Sequence, residues 1–302
     1  MLTTARLLAV QYRAEALFLL VGTMLGLVAA AVAVTLAPIV LERCGSGADT
    51  GGACAALGTL VPVVAVASAV AIGSGLIVPP LVALLVGVQL VAREVERGTA
   101  ALPWILGASR ETWFFRRAAL VALAIGGSAT LSGLAADAVI GAQQPGLDLG
   151  HSLLDWEVRG WLDPGRALAV FGLALLCGAL VGRVLPALLT GIVVVGLIFG
   201  VFEVGFGAVH EAMARPMSGR DGLYLAPRYV DLTTGRSYAL EAAEALVAYD
   251  DGALTSRFEV VPYGLPDADS RLVIGSEVGA MACLTGPGIA AATAVVRRRH
   301  PY

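Results

Sequence analysis

Residues 57–92 read LGTLVPVVAVASAVAIGSGLIVPPLVALLVGVQLVA, a run without one charged side chain. At about 1.5 Å per residue a helix of this length reaches about 54 Å, beyond the roughly 30 Å hydrocarbon core of a bilayer but short of two crossings and a turn. The run therefore reads as one helix, bent near Pro79-Pro80, whose far end leaves the membrane. Five further apolar runs flank it: Ala16 to Leu41, Ala118 to Ala142 with Asp137 near its end, two within Ala167 to Val209 divided by Gly182-Arg183-Val184-Leu185-Pro186, and Leu272 to Val296. The composition agrees, since 58% of the 302 residues are apolar and 14% charged, against about 25% charged in soluble domains. A mean hydropathy of +0.82 with 6% aromatics comes from Ala, Val, Leu and Gly, as in helices that pack through small residues.

The expected fold class is an all-α polytopic membrane protein with six transmembrane helices. Arginine fixes its orientation, and all 20 basic residues are Arg, so the chain has no P-loop lysine, no Schiff-base lysine and no Ser/Lys dyad. If the protein uses ATP, another chain must bind it. With six spans, Arg6, Arg13, Arg93, Arg97, Arg110, Arg116, Arg117, Arg183, Arg297, Arg298 and Arg299 fall on one side, while residues 42–56 and 143–165 opposite hold Arg43 and Arg159. Both termini are therefore expected in the cytoplasm. The first apolar run is long, has no Ala-x-Ala site behind it, and reads as a retained span.

Leu2, Ala5, Leu8, Ala9 and Tyr12 recur at helical spacing, so the N-terminus is expected to form an amphipathic helix in the headgroup layer or an extension of span 1. The largest polar segment, about His210 to Arg271, carries an excess of Asp and Glu over Arg. Within it Ser237 to Tyr249 has a helical pattern and Arg257 to Pro262 a strand pattern, which predicts a small extracytoplasmic α/β cap between spans 5 and 6. The expected organisation is residues 1–209 for spans 1–5, with a cytoplasmic loop at 93–117, then 210–271 for the outer segment and 272–302 for span 6 and its basic tail. Cys44 and Cys54, ten positions apart in the first outer loop, are expected to close a disulfide in an oxidising compartment. Cys177 and Cys283 lie within spans and read as packing residues, and the three isolated histidines give no metal-ligand spacing.

Residues 93–117 read REVERGTAALPWILGASRETWFFRR. A charged helix end breaks at Gly98. A short apolar helix from Ala100 to Leu106 is expected to present Leu102, Trp104, Ile105 and Leu106. Ser109 then stands as the N-cap of the next helix, with Arg110 after it. Apolar anchors framed by charge are what a docking contact needs.

The order Glu94-x-Glu96-Arg97-Gly98-Thr99, followed by the apolar patch and Ser109-Arg110 ahead of Trp113, resembles the loop after the second span in permease subunits of ABC type 2 exporters. The residue-level resemblance covers about 25 positions; six spans, a segment between spans 5 and 6 and the Arg297-Arg298-Arg299 end extend it in topology. It departs from the pattern at Gly107-Ala108, where a proline is common, and at Arg116 or Arg117, where lysine is usual. The resemblance implies that Glu94, Glu96, Arg97, Gly98, Thr99, Leu102, Trp104, Ile105, Ser109 and Arg110 form a coupling helix and its gate. It implies an ABC ATP-binding subunit as partner, a second permease copy or a related permease, and export of a drug-like, lipid or peptide substrate. ATP and Mg would sit on the partner, with no cofactor in this chain. Membrane lipids are the remaining partner, nucleic acid is not one, and the expected location is the plasma membrane, multi-pass, of a high-GC bacterium.

Ionisable residues inside spans are functional candidates by default. Asp137 and Arg183 read as interfacial, whereas Glu203 and Glu277, toward the outer ends of their spans, are candidates to line an exit or to meet Arg271. Gly22-x-x-x-Gly26 and Gly196-x-x-x-Gly200 fit close helix crossings, and the resemblance implies a dimer meeting through spans 1 and 5. Two other classes compete. In a membrane sensor the outer segment would bind a ligand or partner protein. An intramembrane enzyme would use Gly73-Ser74-Gly75, but no mid-span histidine is present to activate that serine.

Overall fold

The computed structural model describes residues 10–44, 58–97, 109–153, 155–217, 222–247, 254 and 256–298. Six of its helices are long and apolar enough to cross a membrane: α1 (Arg13–Cys44), α2 (Leu60–Glu96), α3 (Arg110–Gln143), α4 (Leu162–Val181), α5 (Val184–Met213) and, after a short α6 (Leu240–Leu246), α7 (Ser270–Arg298). The chain is thus a mostly helical, multi-pass membrane protein. The opening run forms a single helix of 37 residues with Pro79 and Pro80 inside it. The α4–α5 junction is abrupt. Gly182 adopts φ 70°, a left-handed conformation that ends α4 at little steric cost, and its N–H bonds back to the Gly178 carbonyl at 3.0 Å.

Helix α4 starts earlier than the apolar run at Ala167 because Asp163 and Pro164 occupy its first turn, where a missing proline N–H goes unused. A 3₁₀ turn, Trp156–Val158, precedes it. The spans of unit one (described residues of 1–147, 156–198 and 275–302) pack through small side chains. One cluster joins Ala30, Ala33, Ala67, Ala71, Ala135 and Val139 across α1, α2 and α3; another joins Val88, Ala92, Ala174 and Ala187 across α2, α4 and α5. Glycine makes the closest approaches. A Cβ on Gly178 would collide with the Val88 carbonyl, one on Gly87 would sit 2.7 Å from Ala174 Cβ, and one on Gly288 would lie 2.8 Å from the Gly172 carbonyl carbon. Without a hydrophobic drive between helices in lipid, such backbone proximity carries the association.

Unit two comprises the described residues of 148–155 and 199–274. It holds an antiparallel sheet in the order β1-β4-β2-β3, with β1 Arg215–Pro216, β2 Gly222–Asp231, β3 Ser237–Tyr238 and β4 Phe258–Pro266. The 237–249 stretch contains β3 and α6, and β4 extends past the 257–262 pattern to Pro266. The sequence reading did not identify β2, because Pro227 interrupts it and a register shift follows Tyr224. Pro227 faces Pro262, whose carbonyl accepts from Met217 N–H on its other side at 2.9 Å, so the prolines meet where the ladder needs no donor. Asp231 closes the β2–β3 turn. Fully buried, it accepts from Thr233 N–H at 2.8 Å, from the Thr233 hydroxyl, from Thr234 N–H and from Arg257. The Thr233 bonds, with Arg257 and Thr234 adding to them, hold its carboxyl well below the usual carboxylate range.

Candidate functional site

The charged end of α2 forms a polar layer with its neighbours. Glu94 is 8% exposed. Its carboxylate accepts from Arg117 Nη1 of α3 at 2.5 Å and from Gln11 Nε2, just before α1, at 3.4 Å. Arg93 Nη1 donates to the Gln11 carbonyl at 3.3 Å and Gln89 Nε2 to Glu15 at 3.3 Å. Glu96 points elsewhere, and its Oε2 accepts from Val184 N–H at 2.9 Å, supplying an acceptor to the first free amide of α5. The two glutamates of the Glu-x-Glu pair thus have separate tasks. One fastens α2 to α3 and the segment before α1; the other caps α5.

Ser109 stands in extended conformation ahead of α3, and its Oγ accepts from Thr112 N–H at 3.2 Å, an N-cap as its position in the motif requires. The Arg117 guanidinium lies 4.9 Å from the Trp113 ring centroid, joining a cation–π contact to the Glu94 ion pair. At the far end of α7, Arg297 approaches Glu111 at 3.6 Å. Tyr12 is packed into the same layer with its hydroxyl buried and without a hydrogen-bond partner among the described residues, and burial pushes its pKa up to about 12. Arg97 is exposed at the α2 terminus. Gly98, Thr99, Leu102, Trp104 and Ile105 lie outside the described residues, as do the Arg110 side chain and residues 1–9 of the N-terminal segment.

The arrangement ties α1, α2, α3 and α5 to one another through the last two turns of α2, which precede residues 98–108. Among the described residues no group of three His, Cys, Asp or Glu side chains stands close enough to hold a metal ion.

The remaining candidates are dispersed. Glu277 is buried and accepts from Trp156 Nε1 at 3.2 Å, while Glu203 is exposed on α5. Arg271 meets His151 Nε2 at 3.1 Å, and His151 Nδ1 meets Asp148 at 2.9 Å. Asp137, read as interfacial, pairs with Arg159 at 2.8 Å, a partner missed because the 143–165 stretch reads as an outer loop. Asp163, 3% exposed and close to Gly75 and Ser132, was missed for the same reason. Gly22 and Gly26 face Val78 and Ser74 of α2, whereas Gly196 and Gly200 have nothing within 4 Å of where a Cβ would stand. Cys177 is buried and Cys283 exposed; Cys54 and the side chain of Cys44 lie outside the described residues.

Six apolar helices define a polytopic membrane protein. The family described as ABC-2 membrane transporter related matches residues 16–205, over half of the chain. The chain belongs to that family, which implies a permease subunit working with an ATP-binding subunit. Searches of curated proteins and of solved structures returned no match.

Proposed function

We propose that this chain is the membrane subunit of an ATP-driven exporter, with both termini and the 93–117 loop cytoplasmic and ATP and Mg held by a separate subunit. The supporting observation is the polar layer, in which Glu94 and Glu96 connect α2 to α3, α5 and the segment before α1. In this reading the 98–108 segment docks in the ATP-binding subunit through Leu102, Trp104 and Ile105, with Arg97 at its rim. Movement there re-aims α5 through Glu96 and α3 through Arg117. The outer segment and the Cys44–Cys54 disulfide face the extracytoplasmic side, and a drug-like, lipid or peptide substrate moves outward.

Two copies, or one copy and a related permease, meet through α5, where Gly196 and Gly200 are open to a neighbour. Cysteines at Gly200 in a pair of chains then crosslink in membranes; failure at that position and along the same face would exclude the α5 interface. For docking, Arg97→Glu or Trp104→Ala is expected to abolish co-purification with the ATP-binding subunit and the stimulation of its ATP hydrolysis. Unchanged values for both variants would overturn the docking role.

A further inference from the structure

A cleft of about 560 Å³ opens at the charged end of α2, lined by Glu15, Gln89, Arg93, Glu96, Arg97 and Val184. Each of these residues stands at or near the end of a membrane-crossing helix: Glu15 in the first turn of α1, Arg93 and Glu96 in the last turn of α2, and Val184 at the start of α5. The cleft therefore lies at the level where phospholipid headgroups meet a spanning protein.

Its charges are of both signs. Arg93 and Arg97 supply guanidinium donors, suited to a phosphate by their forked geometry. Arg93 commits one N–H to the Gln11 carbonyl, and Arg97 has no side-chain partner among the described residues. Glu15 and Glu96 supply carboxylates that each accept one known hydrogen bond, from Gln89 and from Val184 N–H, and retain lone pairs for a further donor. A purely anionic headgroup meets repulsion from these carboxylates. A phosphate bearing a primary ammonium satisfies both pairs.

The helix surface leading away from the cleft changes polarity in the same order as a phospholipid. Leu81, Leu85, Gln89 and Arg93 follow at spacings of four along α2, one slowly turning stripe that passes from aliphatic to amide to guanidinium. Leu81 is 39% exposed, and Leu85 and Gln89 are half-buried, so the stripe is open to an occupant. Acyl chains fit the leucine portion, the ester region the Gln89 amide, and the phosphate the arginines.

We infer that this cleft is a binding site for a phosphoethanolamine lipid, with the phosphate on Arg93 and Arg97 and the ammonium on Glu15 and Glu96. The site needs the membrane-spanning character of the chain but not its ATP-binding partner; Arg97 figures in both readings, whereas Glu15 lies outside the 93–117 loop, so its substitution tests the lipid site apart from the coupling proposal. Occupied, it bridges α1, α2 and the N-terminus of α5 through a lipid.

The test is native mass spectrometry of the full-length chain in detergent, titrated with phosphatidylethanolamine, phosphatidylglycerol and phosphatidylcholine of identical acyl chains. Phosphatidylethanolamine is expected to be retained about tenfold more tightly than the other two, the effect of one charge-assisted contact. Glu15→Gln is expected to erase that preference while leaving phosphatidylglycerol binding unchanged or stronger. Arg97→Gln, an exposed substitution that does not threaten folding, weakens all three lipids, whereas Arg298→Gln at the end of α7 changes none. Equal retention of the three lipids by the wild-type chain would overturn the assignment. So would a thermal shift from free phosphoethanolamine as large as that from the lipid, since the site would then belong to a soluble phosphomonoester.

Discussion

The Glu94–Arg117 pair permits a quantitative test of whether the glutamate-rich end of α2 is first a structural clamp. The side chains are 11% and 14% exposed and their charged atoms approach to 2.5 Å. Two unit charges about 4 Å apart interact by about 4 kcal/mol at an effective dielectric near 20. Desolvation of both groups offsets most of this gain, so the pair adds little beyond an apolar replacement of equal volume. Removing one partner is different, because it strands the other in a buried site, at about 3–5 kcal/mol. Gln11 still offers Glu94 a donor, so the lower end applies to Arg117→Met, about 3 kcal/mol. At about 2–4 °C per kcal/mol this lowers the midpoint of thermal unfolding by about 6–12 °C. Glu94→Gln strands Arg117 against Trp113 and lowers it comparably. The double variant Glu94→Gln/Arg117→Met recovers most of the loss, with a coupling of about 2 kcal/mol or more in the cycle. The assay is the detergent-solubilised thermal midpoint of all four chains, read by fluorescence-detected size exclusion. Additive losses, or single variants as stable as the wild type, would refute the clamp and leave Glu94 to the partner contact alone.

Three other perturbations follow from particular contacts. Gly178→Leu places a side chain where the Val88 carbonyl already stands, which drives α2 and α4 apart and costs about 1–3 kcal/mol or blocks folding; the same substitution at Gly279, with nothing nearby, leaves the thermal midpoint unchanged. Tyr12→Phe removes a buried hydroxyl that has no hydrogen-bond partner among the described residues and is expected to raise stability by about 1 kcal/mol, a change that a fall in midpoint would contradict. Asp231→Asn weakens the β2–β3 turn at neutral pH. Because the folded-state pKa of Asp231 is depressed, its stabilisation is complete above the ordinary carboxylate range and is lost as pH falls through that range and below it. The gap between Asp231→Asn and wild type in protease resistance of the sheet should therefore stay constant from pH 8 to about 5 and close only at strongly acid pH; a gap that closes near pH 6–7 would assign the effect to another group.

The six spans were legible because hydrocarbon thickness sets a length and backbone hydrogen bonding demands helix, so uncharged runs determine the elements without any tertiary information. The Ser109 cap was legible for a related reason, since its partner Thr112 lies three residues away. The pairs that organise the polar layer were not. Glu94 and Arg117 are both present in the loop reading, but which acid turns inward depends on helix rotation about α2, and two glutamates at spacing two lie on different faces. Arg159 and Asp163 were hidden by the assumption that residues 143–165 stay outside the bundle, whereas the 3₁₀ turn and an early α4 bring them onto Asp137 and Ser132.

The glycine pairs show the same limit. Gly22/Gly26 and Gly196/Gly200 share one spacing, which says only that two small residues lie on one helix face. The structure separates them by what stands opposite. Gly22 and Gly26 are filled by Val78 and Ser74, so their small size is already explained by the approach of α1 to α2 within the chain. At Gly196 and Gly200 no other described residue lies within 4 Å of where a Cβ would stand. Each glycine in a helix interior costs about 1 kcal/mol relative to alanine, a loss that lipid contact does not return and that close packing against another helix does. The chain by itself supplies that return to the first pair and not to the second, nor to Gly275 and Gly279 of α7, which have the same spacing and are equally open; the proposed α5 interface would supply it to the second pair, and crosslinking through Gly200 but not through Gly279 is the result that separates the two helices.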